Sequence, residues 1–181
     1  MKKLLCILII SLSTLSSRAQ FSKATLQATG LTCAMCSNAI NKALQKVPFV
    51  LSVRSDIKNS AFNIVFKESE PVDIDALKDA VEDAGFSVGS LKLVGTFKDL
   101  KIEKDEHVKL GDNNFHFLDT EKRVLDGEQT ITVVDKDYVT AKQFKKLSHT
   151  TDMPCIRDGK AAACCVKEGM SEGERVYHVT L

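Results

Sequence analysis

No tryptophan occurs among the 181 residues, which removes the aromatic that thioredoxin-type redox sites carry beside their cysteines. Long apolar runs are equally scarce. The one from Leu4 to Leu15 is shorter than the ~20 residues a membrane-spanning helix needs, and no later segment approaches that length. Charge of one sign is also missing. With 25 basic and 24 acidic residues the formal charge is +1, so nothing points to nucleic acid. Internal repeats, low-complexity stretches and an obvious flexible linker near residue 93 are absent too. No Ser/His/Asp arrangement, paired acids at a motif spacing or phosphate loop stands out, so no enzyme is expected.

What is present begins with an address. Lys2 and Lys3, the apolar run to Leu15 and the small and polar stretch Ser16 to Gln20 have the three zones of a secretory signal, with cleavage expected after Ala19. Cys6 lies inside the apolar run, where it is unsuited to lipid attachment. Loss of residues 1–19 takes Lys2, Lys3 and Arg18 with it and leaves 22 basic against 24 acidic residues, a charge of −2. The mature protein is expected in the periplasm or outside the cell, with no membrane association after cleavage. It keeps five of the six cysteines: Cys33, Cys36, Cys155, Cys164 and Cys165. An odd number in an oxidising compartment means that at least one thiol stays unpaired, binds metal or cross-links chains.

Hydrophobic periodicity divides the mature chain in two. Ala24, Leu26 and Ala28 alternate with polar residues, predicting a strand that Gly30 ends. Ala39, Ile40, Ala43, Leu44 and Val47 recur at helical spacing, with Pro48 as the stop. Strands are predicted at Val50 to Asp56 and Ala61 to Phe66. Asp73 then caps a second helix bearing Ile74, Leu77, Val81 and Ala84, which Gly85 closes, and Val88 to Leu93 is a further strand. The order βαββαβ predicts an α+β, ferredoxin-like domain over residues 20–92, two helices covering one face of an antiparallel sheet.

Residues 93–181 predict a second, β-rich domain. Its strands are expected at Val94 to Ile102, His107 to Leu110, Phe115 to Leu118, Gln129 to Val134 and the alternating C-terminus around Tyr177 to Leu181. GDNN and DG turns lie between them, and one short helix is capped by Thr140 and Gln143. Three strands, a helix and two strands are compatible with an OB-like barrel. Phe115 and Phe117 are assigned to this domain's own core.

The sharpest chemical feature is GLTCAMC, residues 30–36, between the first strand and the first helix. Cys36 is expected in the first helical turn, where unpaired N–H groups and the helix dipole favour a thiolate, with Cys33 in the loop before it. Two thiolates with no histidine or carboxylate between them form a soft, low-coordination site. Cu(I) or Hg(II) suits it better than a hard cation, and tetrahedral Zn(II) would want further ligands. Such an open site can pass its ion to another dithiol. A disulfide is the competing reading, and a thiol–disulfide redox pair is a second. Against the latter stand the missing tryptophan and Ala34 and Met35, where thioredoxins carry glycine and proline.

Residues 21–92, with GLTCAMC, the βαββαβ order and EDAGFSV at 82–88, resemble the heavy-metal-associated domain family of copper chaperones, copper-ATPase modules and periplasmic mercury-binding proteins. The resemblance implies that Cys33 and Cys36 are ligands, with Leu31, Thr32 and Phe86 supporting the metal loop. Leu31 stands where the family most often has methionine, and Phe86 is closer to the ATPase modules than to soluble chaperones. The function implied is a carrier, buffer or sensor of Cu(I), with Hg(II), Zn(II) or Cd(II) as alternatives and another metal-trafficking protein as partner.

The other three cysteines are expected on a hairpin turning at Asp158 and Gly159. It would set Cys155 against Cys164 or Cys165, as a disulfide or as a thiol-rich second metal site with Met153 or His149. His107, His116 and His178 have no ligand partner at i+2 or i+4 and read as ordinary sheet residues. Lys142, Lys145 and Lys146 read as a solvated helix face.

Overall fold

The computed structural model describes residues 20–31, 33–68, 70–167 and 169–181. The expected signal segment and Thr32 lie outside the described residues. No described helix is long and apolar enough to cross a membrane.

The first half has the predicted order: β1 (Gln20–Thr29), α1 (Ala34–Gln45), β2 (Val50–Asp56), β3 (Ala61–Phe66), α2 (Ile74–Asp83) and then β4 (Ser87–Ile102). Each boundary has a local cause. Gly30, at φ 79°, supplies the left-handed turn that ends β1, and the Asp73 carboxylate accepts the Ala76 N–H at 3.2 Å to start α2. Strands pair in the order β2-β3-β1-β4, all antiparallel. Ile40 and Leu44 of α1 and Ile74, Leu77 and Val81 of α2 are buried against them.

β4 departs from expectation. It runs for 16 residues, straight through the boundary expected between residues 92 and 93. A bulge at Lys98 and Asp99, the latter at φ 48°, shifts its register between Phe97 and Leu100 without ending it. Its far edge pairs with β7 (Arg123–Val133), followed by β8 (Val176–Thr180), β6 (Asn113–Phe117) and β5 (Glu106–Leu110).

The result is one open eight-stranded sheet with β2 and β5 as its edges, so the OB-like barrel is not formed. The sheet cannot close because the second set of strands adds to β4 instead of folding back on itself. Strand order across the seam, including the parallel pairing of β6 with β8, is a long-range choice that periodicity does not encode.

The core is correspondingly continuous. Phe21 packs edge-on against Phe97 and Phe115, at centroid distances of 6.4 and 5.5 Å, and Phe115 meets Tyr177 at 5.9 Å. Phe115 and Phe117 therefore belong to a core shared by both halves rather than to one of their own. α3 (Ala141–Leu147) carries the expected capping box of Thr140 and Gln143, and Lys142, Lys145 and Lys146 are exposed on it.

A charged knot ties α2 to the C-terminal half. Arg175 donates from Nε to Asp75 at 2.9 Å and from Nη2 to Asp135 at 2.9 Å, and the Tyr138 hydroxyl donates to Asp75 at 2.6 Å. Burial alone would raise the Asp75 pKa, but the hydrogen bonds from Arg175 and Tyr138 outweigh it and hold the carboxyl below its ordinary value. A folded-state pKa below the unfolded one gives stability that is present above the unfolded value of 3.8 and is lost as pH falls through the lower folded value. Thermal melts across the acid range should therefore show the protein losing stability below about pH 4, and Asp75→Asn should be less stable at neutral pH with a flatter acid limb. Equal acid slopes in the two proteins would refute this coupling.

Candidate functional site

Cys33 is the N-cap of α1, in extended conformation at φ −151° and ψ 159°. Its carbonyl accepts N–H groups of Cys36 and Ser37 at 3.1 and 3.3 Å, and its sulfur accepts the Cys36 N–H at 3.3 Å. The sulfur thus does what an aspartate or serine oxygen does at an ordinary helix start, and the first turn contains no acidic residue to compete with it. Cys33 Sγ is held against the residue that carries the second sulfur, with donors rather than negative charge around it.

Cys33 is exposed, Cys36 is half-buried, and neither is disulfide-bonded. Met35, between them, is 83% exposed, so the loop stands open to solvent or a partner rather than tucked into the core. Leu31 and Phe86 both pack onto the main core. Leu31 anchors the loop's entry, and Phe86 lies just after α2.

The three remaining cysteines are arranged differently from the expected hairpin. Pro154 opens a 3₁₀ turn, Pro154–Arg157, Gly159 takes φ 68°, and Ala163–Val166 form a short helix, α4. Among the described residues of this segment only an isolated bridge, Lys160 to Arg175, is strand-like. Proline at the start of a turn and a run of small residues after it favour these two helical turns over extended pairing. Cys155, Cys164 and Cys165 still come together without a disulfide, their sulfurs within 4.8 Å of one another. Met153 packs against them, while His149 is exposed and in neither group of ligand atoms that the described residues bring together.

The histidines are the larger correction, because they line the same pocket of side chains. His107, His116 and His178 are directly opposite one another on β5, β6 and β8. His107 stacks on His116 at 4.3 Å, and His178 meets His116 edge-on at 5.0 Å. All three face Cys155, whose sulfur lies 3.8 Å from His107 Nε2, 3.6 Å from His116 Nδ1 and 3.5 Å from His178 Nε2. Cys165 Sγ is 3.3 Å from His107 Nε2.

Behind the rings stand carboxylates. Asp105 is 3.3 Å from His116 Nε2, and Asp135 is 2.6 Å from His178 Nδ1. Burial, then the charges of His178 and His107, push the His116 imidazole down to about 3, so it is neutral at physiological pH. Burial likewise pushes the Cys155 and Cys165 thiols up.

Helical or i+2 spacing could not reveal this cluster, because its members are cross-strand neighbours. One signal was available: a two-residue turn at Gly111 and Asp112 pairs Leu110 with Asn113 and therefore His107 with His116.

Comparison with known proteins bears on the first half of the chain. The family model described as the heavy-metal-associated domain matches residues 25–87. The copper chaperone CopZ of Staphylococcus aureus (strain MRSA252) is 30% identical over 67 residues, covering 37% of this chain and 97% of CopZ. The probable copper-transporting ATPase HMA5 of Arabidopsis thaliana is 30% identical over 71 residues, 39% of this chain but only 7% of the ATPase. Among solved structures, oxidised MerP from Ralstonia metallidurans CH34 aligns at 28% identity with 38% of this chain and 97% of its own, at a TM-score of 0.34.

Proposed function

The chain belongs to the heavy-metal-associated domain family through residues 25–87, and on that premise we propose that it is an exported, non-catalytic binding protein for a soft metal ion, Cu(I) foremost, which it carries or buffers through Cys33 and Cys36. The observation that carries the reading is the cap geometry. Two sulfurs sit at the start of α1, one exposed and one half-buried, with no acid in the first turn. Two thiolates without a hard donor prefer a soft monovalent ion in low coordination. An open site of that kind gives up its ion by ligand exchange, which suits docking on another metal-trafficking dithiol. Hg(II) shares the preference for two thiolates. Export rests on the pattern of residues 1–19.

The reading is tested by anaerobic purification, thiol counting and Cu(I) titration against a competing chelator. The reduced protein is expected to bind Cu(I) tightly at the dithiol and to lose that binding when Cys33 and Cys36 are oxidised to a disulfide. It should show no turnover of a disulfide substrate. Catalytic reduction or oxidation of such a substrate by metal-free protein would replace the carrier reading with a redox one.

A further inference from the structure

Cys155 sits where one thiol faces three imidazoles. A carboxylate only accepts hydrogen bonds, so Asp105 fixes the proton of His116 on Nε2 and Asp135 fixes that of His178 on Nδ1. On neutral rings the nitrogens turned toward Cys155, His116 Nδ1 and His178 Nε2, are then both lone pairs. A single S–H can donate to only one of them. Two acceptors aimed at one buried sulfur are an arrangement that a cation resolves and a thiol proton does not.

The separations agree with this. Metal–sulfur and metal–nitrogen bonds of ~2.3 and ~2.05 Å at tetrahedral angles put S and N about 3.5 Å apart. The sulfur–nitrogen distances in the cluster run from 3.3 to 3.8 Å. Ordinary S–H···N contacts reach similar lengths singly, whereas here three imidazoles converge on the one sulfur of Cys155. His116, His178, Cys155 and Cys165 are all fully buried. Carboxylates behind metal-bound imidazoles are the usual means of fixing their tautomer and orientation.

We propose that this cluster is a second metal site, distinct from the dithiol, which holds one Zn(II)-type ion through Cys155, His107 and His116, with the fourth position filled by His178 or Cys165. The ligand atoms of Cys155, His107 and His116 lie within 4.8 Å of one another, so small side-chain movements close them on an ion. His178 Nε2 is 3.5 Å from Cys155 Sγ and Cys165 Sγ is 3.3 Å from His107 Nε2, so each is in reach of one of the three ligands. Mixed imidazole and thiolate donors in a closed, four-coordinate pocket select Zn(II) or Co(II) over a hard cation, and favour them more than the two-thiolate loop does.

The two sites are separate. The dithiol follows β1 and the cluster is built on β8, β6 and β5, which lie three to five strand spacings away across the sheet, roughly 15 to 25 Å at ~4.8 Å per spacing.

The test uses full-length Cys33→Ser/Cys36→Ser protein, reduced and anaerobic, titrated with Co(II) and then Zn(II). It should take up one equivalent of Co(II) with tetrahedral d–d bands and thiolate-to-cobalt charge transfer, and Zn(II) should displace it stoichiometrically. Adding Cys155→Ser or His116→Gln should weaken binding by more than ~100-fold, beyond what outer carboxylates contribute. His178→Gln and Cys165→Ser, compared singly, identify the fourth ligand by which of them alters the spectrum more. Should the Cys155 variant fail to fold, the double variant decides alone through its charge-transfer absorption. Failure of that protein to bind an equivalent of Co(II) or Zn(II), or binding indifferent to both Cys155→Ser and His116→Gln, overturns the proposal. Because Cys33 and Cys36 are absent throughout, the result is independent of the carrier reading.

Discussion

Replacing Cys33 and Cys36 with serine should abolish tight Cu(I) binding at the helix start, weakening it by well over the ~100-fold that losing an outer-sphere partner costs, and leave the fold intact. Serine retains an oxygen that can cap α1, so the helix loses little when the Cys33 sulfur is removed. Cys33 is exposed and Cys36 half-buried, so no cavity opens in the core. What disappears is the soft donor pair, and a hydroxyl is neither ionised at neutral pH nor soft. Competition titration with a chromophoric Cu(I) chelator reads the affinity, and the far-ultraviolet circular dichroism spectrum reads the fold. Unchanged Cu(I) affinity in the folded variant would move the principal copper site elsewhere in the chain.

The single substitutions separate the two sulfurs. Cys33→Ser removes the more exposed ligand and Cys36→Ser the one inside the first turn. A carrier that hands on its ion by ligand exchange needs both at some stage, so each single variant should bind weakly and transfer poorly. A disulfide-exchange protein would instead retain partial reactivity at one sulfur.

How far these features could be read before the structure depended on the range of the interactions behind them. The βαββαβ half was legible because its signals are local: alternation in β1, 3.6-residue periodicity on α1 and α2, Asp73 as a cap and Gly30 at positive φ. The dithiol was legible for the same reason, since Cys33 and Cys36 fall within one turn of each other. In the second half the capping box at Thr140 and most of the strands are local signals of the same kind, whereas the pairing of those strands is not. The expected boundary at residue 93 follows from the βαββαβ order being complete at Leu93 and from the shorter β-like runs beyond it, whereas the bulge at Asp99 lets the strand continue. His107, His116 and His178 looked unremarkable because their partnership lies across strands. The parallel pairing of His116 with His178 joins segments some sixty residues apart. The expected hairpin at Asp158 failed because Pro154 and the small residues at 161–164 prefer helical turns to extended backbone.

Phe115→Ala should destabilise the whole protein by about 3 to 5 kcal/mol, the usual cost of deleting a fully buried phenylalanine ring. The ring is entirely buried and touches Phe21 of β1 on one side and Tyr177 of β8 on the other. Because β4 runs unbroken from the first half into the second and the core is continuous, the cavity should not be felt by the C-terminal strands alone. Tyr177 in turn lies under the Arg175 guanidinium, 4.1 Å from its ring centroid, and Arg175 reaches back to Asp75 on α2. A loss of packing at Phe115 therefore propagates along two routes into the half that carries the dithiol. Urea unfolding followed by far-ultraviolet circular dichroism and, separately, by the reaction of the buried Cys155 and Cys165 thiols with a thiol reagent should give coincident transitions, both shifted to lower urea in the variant. If Cys155 and Cys165 became reactive at lower urea while part of the circular dichroism transition stayed in place, residues 20–92 would be an independent folding unit, and the shared sheet would be a docking of two domains rather than one cooperative structure. Coincident transitions would mean that metal bound at the start of α1 also stabilises the distant strands, since a ligand that binds only the folded state raises the stability of everything that folds with its site.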